Sequence, residues 1–123
     1  MTRRARRGVA VAVVLVAGLS ACGTKKPPPT EGSPDLGKEA IPNYGCGSCH
    51  TIPGIKGADA LVGPPLVRFS KRGFIAGRLA NTEQNLARWI RDPQGVEPGT
   101  AMPNLGVTAE DARNIAAYLE TLQ

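Results

Sequence analysis

Residues 46–50 read Cys46-Gly47-Ser48-Cys49-His50, and this pentapeptide decides how the rest of the chain is interpreted. Two thiols three residues apart on one turn of backbone can add to the two vinyl groups of a single porphyrin. The histidine that follows then comes under the porphyrin iron as its proximal ligand. The motif therefore predicts that Cys46 and Cys49 attach one haem covalently and that His50 binds its iron.

Two other kinds of site use a Cys-x-x-Cys motif. A thiol–disulfide site needs a strand before it and a βαβ pattern around it, whereas residues 24–123 contain no Val/Ile-rich alternation. A zinc site needs about four ligands, but the chain has no histidine besides His50 and only one further cysteine, Cys22. Haem attachment is the favoured interpretation, and the redox dithiol and the metal site remain as alternatives.

The first 21 residues have the features of an export signal. Four arginines stand within residues 3–7, and an uncharged run covers residues 8–21. This run is too short to span a bilayer, which takes about 20 apolar residues, so it fits a secretory signal that the mature protein lacks. A twin-arginine route fits less well than general secretion, because Ala5 and Arg6 do not follow that pattern.

Residues 19–22, Leu-Ser-Ala-Cys, resemble the lipobox of bacterial lipoproteins. In that family the cysteine is lipidated and becomes the new N-terminus, which implies that Cys22 is a membrane anchor. The chain has three cysteines, so assigning two to haem and one to lipid leaves none unpaired. The alternative is a plain cleavage site with an incidental cysteine. We expect an exported protein, lipid-anchored to the bacterial membrane on its periplasmic or outer face.

Export also changes the net charge. The chain is formally +5, but four of its fifteen Lys and Arg lie in the predicted signal, which leaves eleven against ten acids. The mature protein is then only +1, and its charge is no argument for binding nucleic acid. Residues 22–33 contain three successive prolines, which favour polyproline II. We therefore predict a signal over residues 1–21, a lipidated Pro-rich tether over 22–33 and a folded domain over 34–123.

The folded domain is predicted to be all-α. A first helix should begin at Ser33-Pro34, an N-cap followed by a proline at the first helical position, and should kink or break at Pro42. A second helix should begin near the capping sequence 81–84 and end at Asp92-Pro93. The residues expected to face inward are Leu36, Ala40 and Ile41 in the first helix and Leu86, Trp89 and Ile90 in the second.

A third helix has the clearest pattern. Thr108 is a capping residue ahead of two acids, and an apolar stripe with offsets of three and four follows. The stripe consists of Ala112, Ile115, Ala116, Leu119 and Leu122. The Gly- and Pro-rich middle, residues 51–74, is predicted to form loops. Only five aromatic residues are available for the core, so a covalently bound haem would also supply apolar surface to pack on.

Together these motifs resemble the class I cytochrome c family over nearly all of residues 36–122. Residues 46–50 match the haem-attachment site, and residues 63–66, Gly-Pro-Pro-Leu, match the proximal G-P-x-L loop. Residues 98–103 resemble the P-G-T-x-M segment that holds the distal ligand, and residues 115–119 resemble the C-terminal helix. The chain resembles in particular the cytochrome domains attached to subunit II of bacterial cytochrome oxidase. The resemblance implies an all-α cytochrome c fold with about three main helices and loops wrapped around one covalent haem c.

The resemblance also implies a set of site residues. Met102 is the expected distal iron ligand, and it is the only methionine left once the signal is removed. Alternatively, Met102 fills a gap in the core, and the distal side of the iron is open or ligated by a lysine. The Pro64 carbonyl is expected to accept the other ring N–H of His50. The Trp89 indole would point at a haem propionate or toward Met102, or simply pack in the core.

Two sets of basic residues each have two alternative roles. Arg78 either neutralises a propionate or is a solvated surface residue, and residues 68–72 form either part of a docking rim or a solvated surface.

A His/Met-ligated iron has no vacant position for a substrate, so we expect an electron carrier and not an enzyme. The expected partners are redox proteins, such as a terminal oxidase or a quinol-oxidising complex, and the membrane through the lipid anchor. The alternatives are a haem-based small-gas sensor with a displaceable Met102 and a thiol oxidoreductase.

Overall fold

A computed structural model describes residues 31–123. The predicted export signal, the lipidated Cys22 and the tether up to residue 30 lie outside the described residues. Within them, no helix is long and apolar enough to cross a membrane. In chain order the elements are helix α1 (Pro34–Asn43), two 3-10 turns (Cys46–Ser48 and Phe69–Lys71), strands β1 (Phe74–Ile75) and β2 (Leu79–Ala80), and helices α2 (Glu83–Arg91), α3 (Pro93–Val96) and α4 (Ala109–Glu120).

Helix α4 lies at the centre of the domain, because both α1 and α2 pack against it. Its predicted start is confirmed: the Thr108 side chain accepts a hydrogen bond from the Asp111 backbone N–H at 3.1 Å. Four residues of its predicted stripe, Ala112, Ile115, Ala116 and Leu119, are buried, whereas Leu122 lies beyond the end of α4 and is only partly buried. Burial extends to the neighbouring faces because the helix has partners on two sides. The buried residues of α4 are Ala112, Asn114, Ile115, Ala116, Ala117, Tyr118 and Leu119.

Helix α1 crosses α4 at Gly37. A Cβ at Gly37 would lie 1.9 Å from the carbonyl oxygen of Asn114, so the two backbones approach more closely than any side chain would allow. The buried face of α1 is centred on Gly37, Ala40 and Ile41. The prediction that Leu36 faces inward is wrong, since this side chain is 50% exposed. With about 100° between successive residues, Leu36 lies roughly a quarter turn from the centre of that face.

The prediction of a kink or break at Pro42 is also wrong in its position. Helix α1 includes Pro42 and ends one residue later, at Asn43. Pro42 has no backbone N–H to donate to the carbonyl four residues earlier, and only one helical residue follows it, so the helix ends next to the proline and not at it. The Pro42 carbonyl accepts a hydrogen bond from the Gly45 N–H at 3.1 Å, which turns the chain toward the pentapeptide.

Helices α2 and α3 meet at a single residue. Helix α2 begins as predicted, with the Thr82 side chain accepting the Asn85 N–H at 3.2 Å, and its expected inward residues are buried. It ends before Asp92-Pro93, as predicted. The one-turn helix α3 was not predicted: the Asp92 carboxylate caps it by accepting the Gly95 N–H at 2.9 Å.

The middle of the chain consists mostly of loops, as predicted, and ends in a short antiparallel ribbon. In this ribbon Phe74 pairs with Ala80 and Ile75 pairs with Leu79. Strands of two residues carry no periodic signal, so the sequence did not predict them. The all-α prediction is otherwise confirmed.

The last three residues of the predicted tether contact the folded domain. Glu31 accepts a hydrogen bond from the Gln84 side chain at 3.0 Å. The backbone N–H groups of residues 32 and 33 donate to side chains of α2 and α4, at 3.0 Å to Glu83 and 2.8 Å to Asn114. The folded unit therefore includes these residues, which have no regular secondary structure.

Candidate functional site

A cavity of about 650 Å³ opens beside α4. Its walls are mostly apolar, and its volume is within the range of small-molecule and cofactor sites. Residues far apart in the chain meet there, from the end of α1 to the last turns of α4. The predicted site residues that line it are Cys46, Cys49, His50, Pro64, Trp89 and Met102. The structure thus brings all of these predicted residues to one cavity.

The pentapeptide turns tightly at the cavity wall. The backbone N–H groups of Cys49 and His50 both donate to the Cys46 carbonyl, at 3.3 and 3.0 Å. Cys46 and Cys49 are half-buried free thiols, so both sulfurs are available for other bonds. Burial is the main reason why the pKa of the Cys46 thiol is raised, a backbone hydrogen bond acts in the opposite direction, and the nearby Cys49 adds a smaller increase. Reactive redox cysteines usually have a lowered pKa, so this environment does not favour the dithiol alternative.

His50 is held by the loop that follows the pentapeptide. Its Nδ1 lies 2.8 Å from the Pro64 carbonyl oxygen. A carbonyl oxygen only accepts hydrogen bonds, so Nδ1 must carry the proton and Nε2 keeps its lone pair for a metal. The imidazole packs against Gly63, where a Cβ would lie 2.5 Å from His50 Cε1. The absence of a side chain at Gly63 is therefore a condition for this ring position.

Backbone and side-chain contacts fix that loop. The Gly63 N–H donates to the Cys49 carbonyl at 2.7 Å, and the Leu66 N–H donates to the Thr51 carbonyl at 2.8 Å. Arg72 adds a second support: its guanidinium donates to the Pro65 carbonyl and lies 5.0 Å from the centre of the Phe69 ring. Arg72 was considered in the sequence only as part of a basic run, and this contact to the loop was not predicted.

Met102 lies in a loop that covers residues 97–104, between α3 and α4. Its side chain is partly buried and packs against the core at the cavity. The side chain of Gln94, in α3, makes three hydrogen bonds to this loop. The role of Gln94 was not predicted, because nothing in the residue or its neighbours in the sequence indicates which backbone groups its amide will meet.

Trp89 and Arg78 occupy different environments. Trp89 is buried in α2, with 9% of its surface exposed, and lies on the cavity wall. Arg78 is exposed and forms a two-fold ion pair with Glu97, at 2.9 Å from Nε and 2.7 Å from Nη2. The guanidinium lowers the pKa of the Glu97 carboxyl through this hydrogen bond. Arg78 therefore links the β1–β2 turn to the start of the Met102 loop.

These residues fit a haem. Two free thiols, a histidine with an available Nε2 and a methionine thioether surround one apolar cavity, and they are the donors that a covalent haem uses. A zinc site is disfavoured, because residues 31–123 contain no group of three or more His, Cys, Asp and Glu side chains placed to hold a metal ion. The haem would be held by Cys46, Cys49, His50 and Met102.

Comparison with known proteins gives a consistent result. Residues 34–123 match the sequence profile of the family described as Cytochrome c. The chain is 36% identical over 96 residues to "Cytochrome c oxidase subunit 2" of Alkalihalophilus pseudofirmus, an alignment that covers 77% of this chain and 27% of the relative.

This chain is also similar to proteins of the same name from two other bacteria. The subunit from Bacillus sp. strain PS3 is 36% identical over 89 residues, covering 69% of this chain and 25% of the relative. The subunit from Bacillus subtilis is 31% identical over 84 residues, covering 67% and 24%. The chain thus spans about a quarter of the length of these relatives.

Proposed function

The chain belongs to the cytochrome c family of electron-transfer haem proteins, and from this premise we propose that it is a monohaem electron carrier with His50 and Met102 as the two axial iron ligands. When bound, the haem supplies an iron that accepts and releases one electron. The observation that carries the proposal is the hydrogen bond from His50 Nδ1 to the Pro64 carbonyl, at a cavity that also contains both thiols and Met102.

The proximal residues have complementary roles. Cys46 and Cys49 hold the porphyrin through thioether bonds, so the cofactor cannot dissociate between electron transfers. Pro64 keeps the proton of His50 on Nδ1 and directs Nε2 to the iron, which also makes the imidazole a stronger ligand. Arg72 supports this arrangement because it binds the next carbonyl along the loop, that of Pro65.

Met102 determines the redox character of the proposed site. A thioether ligand stabilises ferrous relative to ferric iron, so we expect a high reduction potential. With two protein ligands the iron has no vacant position for a substrate, so we infer a carrier and not an enzyme. The Gln94 side chain binds the backbone of Met102 itself and of two residues before it, Gly99 and Thr100, which favours a fixed ligand over the displaceable ligand of a gas sensor. Trp89 lies at the cavity wall, and we propose that its indole N–H donates to a haem propionate.

The proposed partners follow from the relatives and from the predicted anchor. The relatives are named as subunits of cytochrome c oxidase. We therefore propose that this protein exchanges electrons with a respiratory complex, such as a terminal oxidase or a quinol-oxidising complex. Lipidation of Cys22 would keep it at the membrane surface, where a tether raises its effective concentration near such complexes.

The test of the ligands is optical. Protein matured with its covalent haem should show a narrow α-band on reduction and, when oxidised, the far-red charge-transfer band of Met-to-ferric coordination. The reduced protein should bind carbon monoxide slowly or not at all at neutral pH. Pigment that is extracted from denatured protein by acidified organic solvent would refute covalent attachment, and rapid stoichiometric carbon monoxide binding would favour the sensor.

The test of the physiological role is a deletion. Membranes that lack this protein should oxidise reduced quinone or ferrocytochrome more slowly than membranes of the parent strain, and the full-length chain should restore the rate. Unchanged electron flux through every branch would contradict the proposed carrier role.

A further inference from the structure

The loop that carries Met102 has almost no regular hydrogen bonding of its own. Residues 97–104 include no helix or strand, and the one backbone hydrogen bond that closes a turn within them runs from the Thr100 N–H to the Glu97 carbonyl at 3.1 Å. A loop of this kind keeps a ligand in place only when other parts of the molecule bind its backbone. In this structure a single side chain, Gln94, makes most of those contacts.

Both N–H groups and the carbonyl oxygen of the Gln94 amide bind the loop. Its Nε2 donates to two carbonyls, those of Thr100 and Met102, each at 2.8 Å. Its Oε1 accepts the Gly99 N–H at 3.1 Å. The orientation of the amide is unambiguous, because a flipped amide would place its oxygen against two carbonyl oxygens. One side chain thus fixes the backbone at Met102 itself and at two positions before it.

The backbone of Gln94 is also held in place. Its neighbour Pro93 is fully buried, and Asp92 caps the short helix α3. The Gln94 backbone N–H donates to the Asn104 side chain at 3.2 Å, and the Asn104 amide donates to Asp92 at 3.1 Å. The far end of the loop is therefore tied to the same helix that carries the Gln94 side chain.

We propose that Gln94 is the positioning residue that keeps the Met102 thioether on the haem iron. This inference rests on the proposed His/Met ligation. Gln94 does not touch the iron; it sets the position of the Met102 main chain through the carbonyl of that residue. Loss of its two donors frees the loop between Gly99 and Pro103, so the thioether leaves the iron more often and a competing ligand enters.

The experiment compares substitutions at Gln94 with the same substitutions at Gln84. Gln84 is a matched control because it is an exposed glutamine on α2 whose amide donates to Glu31, and it does not line the cavity. The variants are Gln94→Ala, Gln94→Glu, Gln84→Ala and Gln84→Glu, each made in the full chain with its covalent haem. The measurements are the far-red band of the ferric protein and the rate of carbon monoxide binding by the ferrous protein.

We expect Gln94→Ala to keep the narrow α-band and the helical content while it loses most of the far-red band. Carbon monoxide binding should be at least about tenfold faster than in Gln84→Ala, since the thioether must leave before the gas can bind. Gln94→Glu keeps the acceptor for the Gly99 N–H but loses the donors, so it should show the same change. If Gln94→Ala fails to acquire its covalent haem, Gln94→Glu alone tests the proposal.

The outcomes separate this inference from the proposed function. A wild-type protein without the far-red band would overturn the His/Met ligation, and the role of Gln94 with it. A wild-type protein with the band, together with Gln94 variants that bind carbon monoxide at the rate of their Gln84 counterparts, would overturn the role of Gln94 alone. Lower thermal stability with an unchanged band and an unchanged gas-binding rate would show that Gln94 is merely structural.

Discussion

At the scale of single residues, the site depends on how closely backbone and side chains approach one another. The His50 ring has a carbonyl acceptor on one edge and the bare backbone of Gly63 beside it. The sequence motif Gly-Pro-Pro-Leu predicted the acceptor through resemblance to a family. The steric role of the glycine emerges only from the distance between the two groups.

This distance leads to a prediction for Gly63→Ala. The new Cβ would lie 2.5 Å from His50 Cε1, so the ring must move and its bond to the Pro64 carbonyl must lengthen. We expect a loss of about 1–2 kcal/mol in the free energy of unfolding, measured by denaturant titration, together with a shifted absorption spectrum. Gly73→Ala is the matched control, because a Cβ there has no heavy atom within 4 Å. Equal stability of the two variants would contradict the steric role.

A second residue-scale prediction concerns Glu120 on α4. Its pKa is raised, mainly by burial and further by the charge of Glu83, and its buried Oε1 has no hydrogen-bond partner. A raised pKa in the folded state means that the folded protein binds the proton more tightly than the unfolded chain. Below pH 4.5, the pKa of this carboxyl in the unfolded chain, Glu120 is protonated in both states and does not destabilise the fold. As the pH rises through the higher pKa of the folded protein, the carboxyl loses its proton and the free energy of unfolding falls.

Glu120→Gln should therefore be more stable than the wild type at pH 7, with a melting temperature higher by about 2 °C. The difference should shrink toward zero below pH 4, where both states of the wild type are protonated. Thermal unfolding over this pH range measures it, with Glu39→Gln, an exposed carboxylate of α1, as the control. A difference that grew at low pH would mean that the sign of the effect is reversed.

At the scale of elements, the crossing of α1 and α4 is the contact on which the domain depends most. Gly37 lets the two helices touch backbone to backbone, and Tyr44, just beyond α1, donates to Asp111 at the start of α4 at 2.6 Å. The same hydroxyl lies 3.5 Å from the Thr108 N–H, so the start of α4 is tied to the end of α1. The pentapeptide follows directly, and its position relative to α4 is set by this crossing.

We expect Gly37→Ala to be strongly destabilising. Its Cβ would meet backbone atoms of α4 at 1.9 and 2.4 Å, and a backbone cannot rotate away as a side chain does. The expected loss is about 3 kcal/mol in the free energy of unfolding, measured as a lower midpoint of denaturant unfolding. The covalently held haem should keep its α-band. Lys38→Ala, one residue further along and exposed, should change the midpoint little. Similar midpoints for the two variants would show that the helices can separate without cost.

The elements also show what a sequence can predict. Helices α2 and α4, which have regular apolar spacing and capping residues, were predicted with their buried faces, because periodicity and capping are local properties. Helix α3 and the β1–β2 ribbon were missed, since one turn and two-residue strands carry no period. Leu36 was misjudged because the closest approach to α4, at Gly37, decides which face is buried. The end of α1 was misplaced by one residue, since Asn43 still belongs to the helix. The three hydrogen bonds of the Gln94 side chain likewise depend on the tertiary structure and have no local signal in the sequence.

At the scale of the whole molecule, the tether joins the domain at a defined place. The side chain of Glu31 and the backbone of residues 32 and 33 bind side chains of α2 and α4, and eight residues of sequence, 23–30, separate these contacts from the predicted anchor at Cys22. An extended polyproline II segment of that length spans roughly 30 Å. A lipidated Cys22 would therefore keep the domain close to the membrane surface, within reach of membrane-bound redox partners.

Cys22→Ser tests this arrangement. Removal of the thiol removes the attachment point for lipid, and acyl chains are what hold such a protein at a bilayer. The membrane-bound fraction of the full-length protein should fall at least about tenfold, measured by fractionation and haem absorbance, while the α-band and the far-red band stay unchanged. Thr24→Ser, a small change two residues away, should remain on the membrane. A Cys22→Ser protein that stays membrane-bound would mean that contacts of the folded domain, and not a lipid, hold it there.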